Sequence, residues 1–252
     1  MNTVKLQSLV DFLNQCLKPH KVNDYCPNGL QVEGAIEITR IVTGVTASQA
    51  LIDCSIDLGA DALIVHHGYF WKGESAAIRG VKKNRIKALL DNDISLIAYH
   101  LPLDVHLELG NNVQLAKVLG WQADEVSKNL PLPLVRTATL SQELSGQAMF
   151  DHLHQALQRK PVHIDADRRI RRVAWCTGAA QSYFEEAIGM GVDAFVSGEI
   201  SEQTVHLARE YQVHYFAAGH HATERYGVKA LGDHIQQNLS VEVNFVDCDN
   251  PV

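Results

Sequence analysis

Short apolar runs of β character alternate with helical stretches along most of this chain, which restricts it to an α/β class with largely parallel strands. Strands are expected near 40–46, 61–66 and 94–99, with helices near 48–58, 78–91 and 110–119. An opening helix is read over 3–17 from Leu6, Leu9, Val10, Leu13 and Leu17, with Asn2 or Thr3 as its cap and Pro19 as its stop. The DYCPNGLQVEG segment that follows reads as turns.

The rhythm breaks over 121–170, where Pro131, Pro133 and Pro161 surround a strand near 134–140 and a helix near 143–158. It then resumes, with strands near 172–177, 193–197, 213–217 and 241–246 and helices near 181–190, 201–211 and 223–238. GADALIV (59–65) overlays GVDAFVS (191–197) without gaps, and ISLIAYH (94–100) overlays VHYFAAG (213–219). We therefore read two related α/β lobes with mostly parallel sheets, 1–120 and 171–252, joined by a connecting elaboration at 121–170. A chance match of common strand residues is the alternative.

Composition narrows the function. With 252 residues, 46% of them hydrophobic, the chain has ample material for a core. A net charge of −7 argues against a broad phosphate-binding surface. Five scattered cysteines without a CxxC pair fit reduced thiols, and the stretch MNTVKLQSLVDFLNQ is no apolar leader, so a cytoplasmic protein without membrane insertion is expected. No GxGxxG, GxxxxGK[ST] or GxSxG motif supports a dinucleotide site, a P-loop or a serine nucleophile. The basic runs Arg79 to Lys87 and Arg168 to Arg172 could attract phosphate, although a solvated face is their commoner meaning.

Histidine is the unusual feature. Of 13, six fall at 66 and 67, 100 and 106, and 220 and 221, each group just after an expected strand. In open α/β sheets, ligands gather beyond the carboxyl ends of the strands. His220 and Glu224 stand one turn apart on a helix start, a workable ligand pair, while His66 and His67 would point to opposite sides if the strand continued through them. Imidazoles with carboxylates and no thiolate suit Zn, Fe, Mn, Co or Ni. The set His66, His67, Asp104, His220 and Glu224 exceeds what one catalytic zinc takes, so two divalent ions sharing a bridging carboxylate, about 3.5–4 Å apart, are the economical reading. Singly, HH and HxxxE are ordinary features; their joint placement after apolar strands favours metal. His100 and Glu199 are the candidates for a catalytic role; His100 and His106 could each orient a ligand, bind substrate or cap a loop, and Glu199 could act as a base, a distant ligand or a surface acid. His20, His152, His154, His163, His206, His214 and His234 lack cluster partners in sequence and read as surface or satisfied core histidines.

The segments DYCPNGLQVEG, IVHHGYFW, AYHLPLDVHLELGNN, SGEISE and AAGHHATERYG resemble those of the Nif-three-like family in its bacterial YbgI-type branch, over nearly the whole chain. The resemblance implies a two-lobed Nif-three-like fold, a toroidal homohexamer and a dinuclear metal site between the lobes whose ligands map onto His66, His67, Asp104, His220 and Glu224. Members often carry the label GTP cyclohydrolase I type 2, which implies a metal-dependent hydrolase acting on a small molecule such as a nucleotide or cyclic amide. The 121–170 stretch leaves no room for the extra domain that some relatives insert. The alternative is a non-catalytic metal carrier or scaffold whose ring recruits a protein or nucleic acid.

Overall fold

A computed structural model describes residues 2–252, which divide into two compact units, 2–109 with 227–249 and 110–226 with 250–252. The first stretch runs β1 (Val4–Lys5), α1 (Leu6–Leu17), β2 (Gly29–Val32), β3 (Glu37–Ile38), β4 (Arg40–Thr46), α2 (Gln49–Asp57), β5 (Ala62–His67), α3 (Gly80–Asp91), β6 (Ser95–Ala98) and α4 (Leu101–Asp104). The second supplies α5 (Asn111–Leu119), β7 (Glu125–Val126), β8 (Arg136–Leu144), α6 (Gly146–Leu157), β9 (Val162–Ile164), β10 (Ile170–Cys176), α7 (Phe184–Gly189), β11 (Ala194–Ser197), α8 (Glu202–Tyr211) and β12 (His214–Ala217). The long α9 (His220–Leu239) begins in the second unit and carries the chain back to the first, where β13 (Glu242–Phe245) ends the series.

The first unit holds a sheet in the order β13-β4-β5-β6-β2, parallel except for β2. Its strands alternate between two apolar layers. Ile41, Ala62, Ile64 and Ile97 face α1 and the end of α9, while Val42, Leu63, Val65 and Leu96 face α2 and α3. Burial on both faces is why ALIV reads as one apolar run. Helix starts follow local chemistry: the Ser48 hydroxyl caps α2 by accepting from the Leu51 amide.

The second unit has the order β7-β8-β10-β11-β12-β9, with β10, β11 and β12 parallel and antiparallel strands on both flanks. One face packs Val173, Trp175, Val196 and Phe216 beneath α5 and α6. The other packs Phe184, Phe195 and Tyr215, with Phe184 meeting Tyr215 edge to face at 5.0 Å. Ser145 and Ser201 cap α6 and α8.

Strand register bears out the internal repeat. Ile41 faces Ala62 in the first sheet; Val173 faces Ala194 in the second, and each is displaced from its counterpart by 132 positions. Ala62 faces Ser95, and Ala194 faces His214, which lies 119 positions beyond Ser95. Both offsets equal those of the sequence overlay.

Three expectations need correction. Residues 4–5 pair with 37–38, and the Leu6 amide donates to the Ile36 carbonyl, so α1 starts at Leu6 without a cap from Asn2 or Thr3. Part of the segment read as turns is β2, because the Gly29 and Val32 ends bury against β6. The strand expected near 241–246 joins the first sheet beside β4, so the division at 120 and 170 differs from the observed one. Among the described residues, no helix is long and apolar enough to cross a membrane.

Ile64 is fully buried, whereas Val81 is 63% exposed. Ile64→Ala should therefore cost about 2–5 kcal/mol and lower the urea midpoint with an unchanged slope. Val81→Ala should stay within about 0.5 kcal/mol. Equal effects in urea titration would show that the sheet interior has been misplaced.

Candidate metal centre

In the first unit, three chain segments meet at the carboxyl ends of β5 and β6. β5 runs through both His66 and His67, yet their ring centroids lie only 4.5 Å apart. The ladder to β6 ends at Val65 and Ala98, so the pleat is no longer enforced on that side and the two rings converge. Gly68 follows at once; a Cβ there would sit 2.2 Å from Gln31 Oε1 and 2.7 Å from Ala98 Cβ, so only glycine lets the chain turn so close to β2 and β6.

His66 is wholly buried, and its Nδ1 donates to the Tyr99 carbonyl at 3.0 Å. That bond assigns the proton to Nδ1 and turns Nε2 toward Asp104 Oδ2, 3.6 Å away on the short α4. His67 is oriented through Nδ1 by the Thr46 hydroxyl at 3.1 Å. Hydrogen bonding of the outer nitrogen is the usual way a protein aims a ligating imidazole.

His100 joins this group. Its ring lies 5.0 Å from that of His66 and 5.7 Å from that of His67, and all three offer nitrogens within 4.8 Å of one another. It is held by a residue that sequence reasoning missed: His100 Nδ1 meets Asp24 Oδ1 at 3.0 Å, and the Leu101 amide donates to Asp24 Oδ2. Burial pushes the Asp24 pKa up, but hydrogen bonds from His100, Asn28 and the Leu101 amide outweigh it and bring it down to about 2. The only signal was an aspartate in a turn-rich stretch, legible as a ligand support only once β2 folds back on β6. Cys26, pushed up to about 12 by burial and by Asp24, stays a thiol.

In the second unit the strand ends of β10, β11 and β12 converge. His220 Nδ1 meets Glu199 Oε1 at 2.8 Å, and its Nε2 meets Glu224 Oε2 at 3.0 Å. Burial lowers the pKa of His220, but the two carboxylates override it and raise it to about 9. A proton thus occupies the position between imidazole and carboxylate that a cation would take. Glu224 is buried, and Gly178, at φ 70°, lies against it: a Cβ at 178 would come 2.0 Å from Glu224 Oε1. Thr223 ties the start of α9 to this loop by accepting from the Gly178 amide at 3.1 Å. The loop after β10 was absent from the sequence reading because Gly178 carries no side chain to notice.

Other singled-out residues lie elsewhere in function. His106 accepts from the Glu108 and Leu109 amides, as a loop cap. The His221 amide donates to the Val252 carbonyl. The run from Arg168 to Arg172 is absorbed locally: Arg168 pairs with Asp193, Arg171 donates to the Ser141 carbonyl and Arg172 pairs with Glu125. His163 and His214, read as unclustered, are in fact hydrogen-bonded at 3.1 Å.

The chemistry of these donors fits divalent cations: imidazoles with oriented outer nitrogens beside buried carboxylates, without thiolate. Because Asp24 titrates near 2 folded and near 3.8 unfolded, its contribution is present above about pH 4 and lost as pH falls toward 2. Asp24→Asn is expected to cost about 2 kcal/mol at pH 7, with the gap from wild type closing over that acid range in urea titrations. A gap that stays constant down to pH 2 would contradict the assignment.

The chain is 54% identical to the GTP cyclohydrolase 1 type 2 homolog of Vibrio cholerae, over the full length of both. A solved structure described as protein ybgI of unknown function superposes with a TM-score of 0.95 at 50% identity, covering 99% of this chain and 100% of that one. TTHA1606 from Thermus thermophilus gives a TM-score of 0.86 at 30% identity over 99% and 100%. The model of the Duf34/NIF3 (NGG1p interacting factor 3) family matches residues 4–251. On these matches, and with paired α/β units bearing histidines and carboxylates at their strand ends, the chain belongs to the Duf34/NIF3 family.

Proposed function

We propose that the two half-sites work together as a dinuclear divalent-metal centre of a hydrolase. His66, His67 and Asp104 come from the first unit and His220 and Glu224 from the second. The observation that carries this reading is the pattern shared by both halves. In each, a buried carboxylate stands beside an imidazole Nε2, and the ring's other nitrogen is already fixed, by the Tyr99 carbonyl for His66 and by Glu199 for His220. Such arrangements recur where proteins orient metal ligands.

When bound, two such ions supply Lewis acidity to a water and to an electrophilic carbon or phosphorus. The chain's own groups do the rest. His100, held by Asp24 and edged by Trp71 at 5.0 Å, is the proton carrier nearest the histidine pair. Glu199 acts as a positioning residue for His220 through its 2.8 Å contact with Nδ1. Tyr25 and Trp71, 5.7 Å apart, wall the His100 side with aromatic surface that suits a flat heterocycle. The name carried by the relatives points the same way, toward hydrolytic opening of a purine-like ring. Assembly into a homohexameric ring, as the family resemblance implies, belongs to the same proposal.

Elemental analysis of tag-free protein is expected to find at least two transition-metal ions per chain, the content falling in His66→Ala and Glu224→Ala. His67→Ala should keep its circular dichroism spectrum, because a core of this size does not rely on metal to fold. A panel of nucleotides, cyclic amides and phosphoesters should then reveal metal-dependent turnover. Metal bound without turnover on any of them would leave a metal carrier or scaffold, and metal content unchanged in the variants would remove the centre altogether.

A further inference from the structure

His163, Asp165 and His214 lie within the second unit, at the end of β12 opposite to Gly219 and His220. β9 runs antiparallel to β12 with His163 facing Phe216, so the chain leaving β9 carries Asp165 past the start of β12, where His214 stands. The His163 ring stacks flat on Phe216, with centroids 4.2 Å apart and planes at 7°. The His214 side chain is 1% exposed and its Nε2 donates to the Arg168 carbonyl at 3.0 Å, which leaves the Nδ1 lone pair facing the cluster.

Three donor atoms then form a nearly equilateral triangle. His163 Nε2 lies 3.1 Å from His214 Nδ1, His214 Nδ1 lies 3.3 Å from Asp165 Oδ1, and Asp165 Oδ1 lies 3.6 Å from His163 Nε2. Ligands bound tetrahedrally to one ion at about 2.0–2.1 Å stand about 3.3–3.4 Å apart, which these edges match. We propose that His163, Asp165 and His214 hold a single zinc-class divalent ion, separate from the dinuclear centre, with its fourth position opening to solvent on the Asp165 side.

The surroundings suit this role. The Arg168 carbonyl orients His214 as supporting groups orient ligating histidines. Burial, helped by neighbouring His214, lowers the His163 pKa, which favours the neutral ring that binds metal. Asp165, 77% exposed, supplies the negative charge and the access route. α6 starts directly against the triangle, and Gly146 at its first position allows this: a Cβ there would lie 2.7 Å from Asp165 Oδ1 and 2.8 Å from Cε1 of each histidine. The ion takes the place of the His163 proton and of the Ala166 amide, which reaches His214 Nδ1 at 3.2 Å.

The test uses full-length, tag-free protein stripped with chelator and dialysed against zinc, beside Asp165→Asn and His163→Gln. Each is made both in wild type and in a His67→Ala/Glu224→Gln background that lacks the proposed dinuclear centre. Each substitution is expected to remove one zinc per chain in both backgrounds, so the result is independent of whether that centre exists. Cobalt loaded into the double-variant background should show the visible absorption of tetrahedral coordination, lost with Asp165→Asn, whose exposed side chain is not needed for folding. Zinc counts unchanged by the substitutions, or no tetrahedral cobalt spectrum in that background, would overturn the proposal.

Discussion

Strands β5 and β11 are buried on both faces, and this governs where the molecule can do chemistry. Along ALIV and AFVS no polar side chain can be tolerated without a partner, so the first positions able to carry imidazole or carboxylate are those where the strands run out, at His66 and His67 and, beyond Gly198, at Glu199. The helices cover the flanks and leave the carboxyl ends as the place where several loops emerge together. Polar groups buried at such ends need fixed partners, and the partners found, the Tyr99 carbonyl, Thr46, Asp24 and Glu199, are those that set the direction of an imidazole.

The electrostatics follow from that placement. Asp24 is held ionised although buried, because its oxygens receive hydrogen bonds from His100, Asn28 and Leu101. His220, enclosed by Glu199 and Glu224, retains a proton well above the usual histidine range. Both are signs of carboxylate charge collected in a low-dielectric setting, where a divalent cation gains most and where it must displace protons to enter. The two units reach this state from the same register, since the offsets relating β4 to β10 and β6 to β12 differ only by the shorter loop in the second half.

The elements built on long apolar periodicity were legible in sequence: α1, the parallel strands β4, β5, β6, β10, β11 and β12, and the serine-capped helices. The positions of His66 and His67 at the end of one apolar run, and of His220 and Glu224 just beyond another, were legible too, because they depend on neighbours along the chain. What escaped depends on contacts distant in sequence. β2 hides in a turn-rich segment and becomes a strand only against β6. β13 follows the second unit in the chain but completes the first sheet, a choice no local pattern encodes. Asp24, 76 positions from His100, and Asp165, far from His214, acquire roles through that folding, and Gly178 matters by the side chain it lacks.

A dinuclear centre of this kind requires groups distant in sequence to bind cations jointly. A crystal structure of the metal-loaded protein, phased at the absorption edge of the bound metal, tests this most directly. Among the anomalous peaks, a pair about 3.5–4 Å apart is expected, each within bonding distance of members of the set His66, His67, Asp104, His220 and Glu224. Loaded protein with no metal within bonding distance of those five side chains would contradict it.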